Sequence, residues 1–509
     1  MKKPSILFHR SSLYVLAFIL QFAVMVGAII QFQNRFYIFY GLSVLTSIVI
    51  IVFILNGTRN PAFKIAWVTI ILIVPFFGGL IYFFLGRYKK HSRLSRGLSK
   101  SAEKKRANSA ENLEEMGQLE ARNSKAARQA HYLTNYAGAT LHRGTRTTYL
   151  PTGEAKFTRL LKRLEEARQY IFLEYFIIEE GLMWNSILEI LTRKVTAGVD
   201  VRVMYDHAGC IAKLPQDFDA KLETLGIRVG VFNPLGVFFR STMQHRDHRK
   251  IAVIDGLVGF TGGINLADEY INNIELHGHW KDTAIELEGP GVWNLALMFL
   301  QHWDFLRTEE RPYLAYRPAY PETSTEDVGW VIPYDDSPLD EERVGENVYL
   351  NLISRARNYV SITTPYLIVD NEMITALSLA AKSGVQVSII TPRIGDRRFV
   401  HEVTRTYYPS LIQSGVRIYE YLPGFIHSKN FVVDDQYGVV GTINMDYRSL
   451  FFHFECGVWM FDTPAVVQMK ADFDAVLGKC QEITLEDLDR FGIIRKIAAN
   501  LLRLFSPLL

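Results

Sequence analysis

The chain has 509 residues, a formal net charge of +3, and three widely spaced cysteines, Cys210, Cys456 and Cys480. With 49% hydrophobic and 21% charged residues it holds enough apolar material for a packed core, which excludes global disorder. Three distant cysteines exclude a disulfide framework and a four-thiolate metal site, and the near-neutral sum gives no electrostatic footprint for nucleic acid.

The apolar residues sit at the front. Residues 12–32, 36–55 and 65–86 contain no charged side chain. Each run is about the length that crosses a ~30 Å hydrocarbon core as a helix. Asn-Gly and Asn-Pro signals within 56–61 mark a turn between the second and third runs. Residues 87–106 then carry nine Lys/Arg and one acid, Glu103, a collar that the positive-inside rule places in the cytoplasm. Three crossings would leave Lys2, Lys3 and Arg10 on the opposite side, against the same rule. The overall charge hides a division. Residues 1–106 hold 15 Lys/Arg and one acid, and the remainder holds 41 Lys/Arg against 52 acids. A basic, apolar anchor is joined to an acidic body.

Beyond about residue 100 the composition is globular, and two similar halves follow. LEEARQY (164–170) leads into a β-rich run, as does ISRARNY (353–359). Ala-Gly-Val (197–199) and Ser-Gly-Val (383–385) each precede a second β-rich run, the pattern of βαβ units. Between the halves, Pro312, Pro318 and Pro321 read as a linker. The chain divides into an anchor of two to three helices (1–90), a basic juxtamembrane segment (91–140), a first half (141–307), a linker (308–330), a second half (331–486) and an amphipathic C-terminal segment (487–509). That last segment fits the membrane surface and the catalytic core equally well. Residues 232–239 (FNPLGVFF) are apolar and loop-like, suited to acyl chains or to core packing.

The strongest pattern is chemical and occurs twice. His248, Lys250, Asp255, Gly262 and Asn265 recur as His427, Lys429, Asp434, Gly441 and Asn444 with identical spacing. On a strand, His and Lys at i and i+2 share one face, and the Asp ends the strand at a turn. Each half then presents an imidazole, an ammonium and an amide. Two such halves suit a phosphodiester. The lysines neutralise its anionic oxygens, the amides orient them, one imidazole attacks phosphorus and the other protonates the leaving alkoxide. This scheme requires no metal or other cofactor.

The duplicated H-x-K-x₄-D pattern resembles the phospholipase D superfamily, and with the apolar front end its bacterial cardiolipin synthase branch. The resemblance implies an α/β fold: two α/β/α halves related by a pseudo-two-fold, behind a transmembrane helical anchor. It implies His248 as nucleophile and His427 as general acid and then base. Lys250, Lys429, Asn265 and Asn444 would bind phosphate. Asp282 would orient His248 and Glu455 would orient His427, each within its own half, while Asp255 and Asp434 would hold the motif loops. The implied reaction passes a phosphatidyl group between two phosphatidylglycerol molecules, giving cardiolipin and glycerol in a bacterial cell membrane, with the catalytic part in the cytoplasm and no nucleic-acid partner. Hydrolysis by the same motifs, or exchange of another headgroup, is the rival reading. Two features depart from the family pattern: three apolar runs instead of two, and His453 where an Asn is common, which suggests a surface or merely supporting role.

Overall fold

The computed structural model describes residues 18–27, 36–86, 93–109, 112–236, 241–307, 311–320, 329–340, 342–489 and 492–508. Lys2, Lys3, Arg10, Arg87, Lys89, Lys90, Phe238 and Phe239 lie outside them, as does much of the first apolar run. The chain forms two compact units, an apolar one of residues 1–89 that also takes in 239–241 and 504–508, and a larger body of residues 90–238 and 242–503.

In the apolar unit, α1 (Phe36–Leu55) is the one helix among the described residues that is long and apolar enough to cross a membrane. Asn60 caps the next helix by accepting from the Ala62 N–H, and Pro61 supplies its first turn. The third apolar run is not a continuous span. α2 (Pro61–Ile73) stops at Val74, and Pro75 opens α3 (Pro75–Ile81) because its ring and missing N–H cannot continue a helix. The two helices fold back on each other so closely that a Cβ at Gly78 would lie 2.8 Å from Ile71 Cα. Trp67 meets Tyr82 edge-on at 5.3 Å. Arg59, before α2, donates to the carbonyl of Gly86, so the run begins and ends at one level.

The larger body holds two sheets of matching order. The first half contributes β1 (Arg146–Leu150), β2 (Tyr170–Tyr175), β3 (Asp200–Asp206), β4 (Arg228–Phe232), β5 (Lys250–Ile254), β6 (Val258–Gly262) and β7 (Ala284–Glu288). Their order is β1-β7-β6-β5-β2-β3-β4, with β2, β3 and β4 parallel and the remaining pairs antiparallel. The second half contributes β8 (Trp330–Asp336), β9 (Tyr359–Thr363), β10 (Gln386–Pro392), β11 (Arg417–Tyr421), β12 (Asn430–Val433), β13 (Tyr437–Gly441) and β14 (His453–Phe461). Their order, β8-β14-β13-β12-β9-β10-β11, repeats the first strand for strand.

Helices cover both faces of each sheet. Those over 153–166 and 182–196 bury Leu160, Leu164, Trp184 and Ile187 against Ile171, Leu173 and Val203. The other face of the first sheet meets the second half through one apolar cluster, including Phe172, Val253, Trp293, Phe299, Val432, Val458 and Met469. Tyr313 and Tyr316 of the proline-rich connection are buried in that same cluster. α4 (Arg93–Asn108) carries part of the basic collar into the body, where Lys104 pairs with Asp304 at 3.1 Å and buried Lys105 with Asp335.

Candidate active site

Each motif histidine lies at a junction between short segments. Arg246–Asp247 is a two-residue strand, His248 and Arg249 follow it without regular structure, and Lys250 opens β5. In the second half Gly424–Ile426 precedes His427, and the main strand begins at Asn430. The histidines therefore stand ahead of the strands on which the i, i+2 reading placed them. Each lysine reaches back to its own histidine's carbonyl, Lys250 Nζ to His248 O and Lys429 Nζ to His427 O.

The lead-in strands decide the geometry. Arg246–Asp247 pairs in parallel with His453–Phe454 of the other half, and the His248 N–H donates to Phe454 O at 2.9 Å. Gly424–Ile426 pairs with His279–Lys281, and the His427 N–H donates to Lys281 O at 2.7 Å. Each histidine is thus laid beside the acid of the opposite half. His248 Nδ1 lies 2.9 and 3.0 Å from the two oxygens of Glu455, and His427 Nδ1 lies 2.6 Å from Asp282 Oδ2. The within-half pairing expected from the sequence is corrected: Asp282 faces His427 and Glu455 faces His248. With Nδ1–H donating to a carboxylate, each ring keeps its Nε2 lone pair for chemistry.

The acids are held differently. Ser449 Oγ donates to Glu455 Oε1 at 2.7 Å, and Thr442 Oγ1 donates to Oε2. The position equivalent to Thr442 is Gly263, where a Cβ would lie 2.1 Å from Asp282 Oδ1. A hydroxyl fits one half, and only a hydrogen the other. The motif aspartates match closely. Asp255 accepts from the N–H groups of Arg168, Gln169 and Tyr170 at 2.7–2.8 Å. Asp434 accepts from those of Arg357, Asn358 and Tyr359 at 2.7–2.9 Å. Both sit at φ +52°, ending their strands in left-handed turns away from the histidines. The asparagines differ. Asn265 accepts from the Ile177 N–H at 3.0 Å and donates to Tyr270 Oη at 2.6 Å, whereas Asn444 Oδ1 is buried without a partner.

His248, His427, Lys250 and Lys429 are all buried. Burial, then the Lys250 and Lys429 ammoniums, push His248 well below its ordinary value. Burial and Lys429 bring His427 down to about 4 against the opposing pull of Asp282. Burial likewise lowers Lys250 to about 8 and Lys429 to about 7. Burial pushes the Asp282 carboxyl up, but His427 and Lys429 hold it below the usual range. Burial and the two ammoniums therefore disfavour an imidazolium at either position.

Several neighbours lie outside the duplicated His-Lys-Asp motif. Lys156, lowered to about 7 by burial, donates to Tyr175 Oη and Ile264 O, both at 3.1 Å. Phe176 lies 5.0 Å from the His248 ring. Trp280 and His453 each stand two residues ahead of an orienting acid. Trp280 lies 5.5 Å from the His427 ring and His453 lies 5.4 Å from the His248 ring. His453 is buried, which excludes the surface alternative and leaves the supporting one, with both ring nitrogens unpartnered and Nδ1 3.7 Å from Glu455. His248, His453 and Glu455 bring three potential ligand atoms within 4.8 Å of one another, but the two adjacent lysines oppose a cation there. A second such group, Glu174, Asp247 and His302, already holds the Arg249 guanidinium between its carboxylates.

Comparison with known proteins agrees with this geometry. Residues 160–285 and 349–477 match the family model described as "Cardiolipin synthase, PLD-like domain", and 44–87 match "Phospholipase D-nuclease N-terminal". A cardiolipin synthase of a Geobacillus species is 32% identical over 519 residues, covering 98% of this chain and 100% of its own. An uncharacterized protein of Streptococcus mutans is 43% identical over 461 residues, covering 90% of this chain and 99% of its own. The fold is similar to that of a phosphatidylserine synthase from Haemophilus influenzae, with a TM-score of 0.57 at 16% identity over 75% of this chain and 99% of that one. The duplicated sheets, the paired motifs and these matches place the chain in the cardiolipin synthase family of the phospholipase D superfamily.

Proposed function

We propose that the enzyme joins two phosphatidylglycerol molecules into cardiolipin and glycerol through a phosphatidyl-histidine. The supporting observation is the pair of crossed histidine–carboxylate contacts flanked by two inward lysines. His248 Nε2 attacks the donor phosphorus while Lys250 and Lys429 hold the phosphate oxygens. His427, protonated once the anion is bound, gives its proton to the departing glycerol oxygen. In the second step His427 takes the proton from a hydroxyl of the second phosphatidylglycerol. That oxygen displaces His248 and forms the new ester. One P–O bond is broken and one is made, so no nucleotide is consumed. Asp282 and Glu455 fix the tautomers and stabilise each ring when it turns cationic. Asp255 and Asp434 hold the motif turns. Asn444 meets a phosphate oxygen through its amide N–H groups, and Asn265 does so through the N–H not given to Tyr270.

The same reading puts the enzyme in the bacterial cell membrane with its body in the cytoplasm. The first run and α1 cross. α2 and α3 form a re-entrant hairpin, supported by the Pro75 break and by the Arg59–Gly86 bond. Two crossings leave Lys2, Lys3 and Arg10 on the same side as the collar, which removes the charge conflict of three.

Purified full-length enzyme in phosphatidylglycerol vesicles is expected to release glycerol and form cardiolipin. Phosphatidic acid as the sole product would overturn the transfer reading in favour of hydrolysis.

A further inference from the structure

α5 (Val292–Arg307) belongs to the interface between the halves. α6 (Ile493–Leu504) instead lies on the outside of the body and is turned the unusual way round. Its positions 495, 499 and 503, spaced four apart, form one stripe, and that stripe faces the protein. Arg495 donates to both oxygens of Glu402 at 2.8 and 2.5 Å. Ala499 is buried. Arg503 donates to Thr406 O at 2.9 Å and lies 4.1 Å above the Tyr407 ring. The opposite side carries Ile493, Ile494, Ile497 and Leu501, which are 74%, 81%, 55% and 56% exposed. A helix packed on a soluble domain turns its apolar side inward. Here the charged side is docked and the aliphatic side is left open.

The surroundings indicate what covers it. Ile394 and Phe399, on the segment that supplies Glu402, are also exposed. Exposed Arg398 and Arg393, the latter donating to Glu420 at 2.9 Å, flank them and line a cavity of about 600 Å³ shared with Arg495 and Glu402. Aliphatic side chains rimmed by arginines fit the boundary between acyl chains and anionic headgroups. After α6 the sequence runs directly into residues 504–508, which belong to the apolar unit, where Leu508 packs among Trp67, Ile71 and Tyr82. We propose that α6 is an in-plane membrane helix: its aliphatic stripe enters an anionic bilayer surface, its basic side stays bound to the second half, and Arg398 rests against a lipid phosphate.

The test places a fluorescent NBD label at Ile494→Cys, and separately at Ile497→Cys, in the full chain. Cys480→Ser removes the native thiol that is not fully buried. Lys162→Cys, on an exposed first-half helix position, is the control. In vesicles containing phosphatidylglycerol, the labels at 494 and 497 are expected to shift to the blue and to be quenched by doxyl lipids. The effect is expected to shrink in phosphatidylcholine alone, and the control label should answer only to aqueous iodide. Iodide access at 494 and 497 without doxyl quenching would overturn the proposal, as would equal quenching in both lipids. Disulfide cross-linking of two copies of the unlabelled Ile494→Cys variant would assign the surface to self-association and overturn it too. The readout does not depend on the chemistry. A chain yielding phosphatidic acid would refute the proposed function and leave this inference standing.

Discussion

The crossed pairing makes a prediction that a within-half pairing does not. Glu455→Gln keeps the length of the side chain but replaces the carboxylate that receives His248 Nδ1–H at 2.9 and 3.0 Å. The amide presents N–H where an acceptor is needed. It also places a donor against the Ser449 or Thr442 hydroxyl that now donates to the acid. The imidazole loses a charge-assisted bond and the tautomer that leaves Nε2 nucleophilic. By analogy with the orienting aspartate of a serine protease triad, this costs roughly 10³–10⁴ in turnover, about 4–5.5 kcal/mol. Asp282→Asn is expected to cost a similar amount on phosphatidylglycerol, so this substrate alone does not separate the two acids. A phosphatidyl ester of p-nitrophenol does, because its leaving group needs no general acid. In single-turnover release of p-nitrophenol, Asp282→Asn and His427→Ala should recover to within about tenfold of the unaltered enzyme, whereas Glu455→Gln and His248→Ala should not. Recovery of Glu455→Gln with none for Asp282→Asn would exchange the roles of the histidines. Equal behaviour of the two acid variants would refute the functional meaning of the crossing.

Asp255→Ala should cost about 3–5 kcal/mol in thermal or denaturant unfolding, since three backbone N–H groups lose a charged acceptor. A loss under about 1 kcal/mol would remove its role in holding the turn. Burial brings His142, His245, His302 and His427 each down to about 4. These groups stay neutral in the folded chain while their unfolded counterparts protonate near pH 6.5, so their contribution is complete above about pH 6.5 and is lost as pH falls towards 4. Melting temperature should therefore drop steeply across that window, and a flat profile would contradict the burial argument. In the apolar unit, Gly78→Val would place a side chain against the Ile71 backbone and force α2 and α3 apart. Detergent-solubilised protein should lose stability, and an unchanged melting profile would argue against the tight hairpin.

The sequence by itself determined the symmetry and the family. Two His-Lys-Asp-Gly-Asn sets at equal spacing exposed the duplication, because catalysis constrains residue type at each position. The apolar front and the charge division marked an apolar, basic segment ahead of an acidic body. The third run reads in sequence as one span, and the break at Pro75 appears only in the structure. Only the tertiary structure decided which acid serves which histidine. That choice depends on Arg246–Asp247 and Gly424–Ile426, segments too short to carry periodicity, whose hydrogen-bond partners are far away in the chain. Local spacing points Asp282 at the nearer histidine, and β-pairing between the halves sends it to the farther one. His453 stood out in the sequence with a surface and a supporting role both open, and only that pairing places it beside His248. The period of α6 revealed two faces, but which one docks is set by Glu402 and Thr406, more than ninety residues earlier. Composition and spacing are local properties of a chain. The site is assembled by contacts between its halves, and those exist only once both sheets have formed.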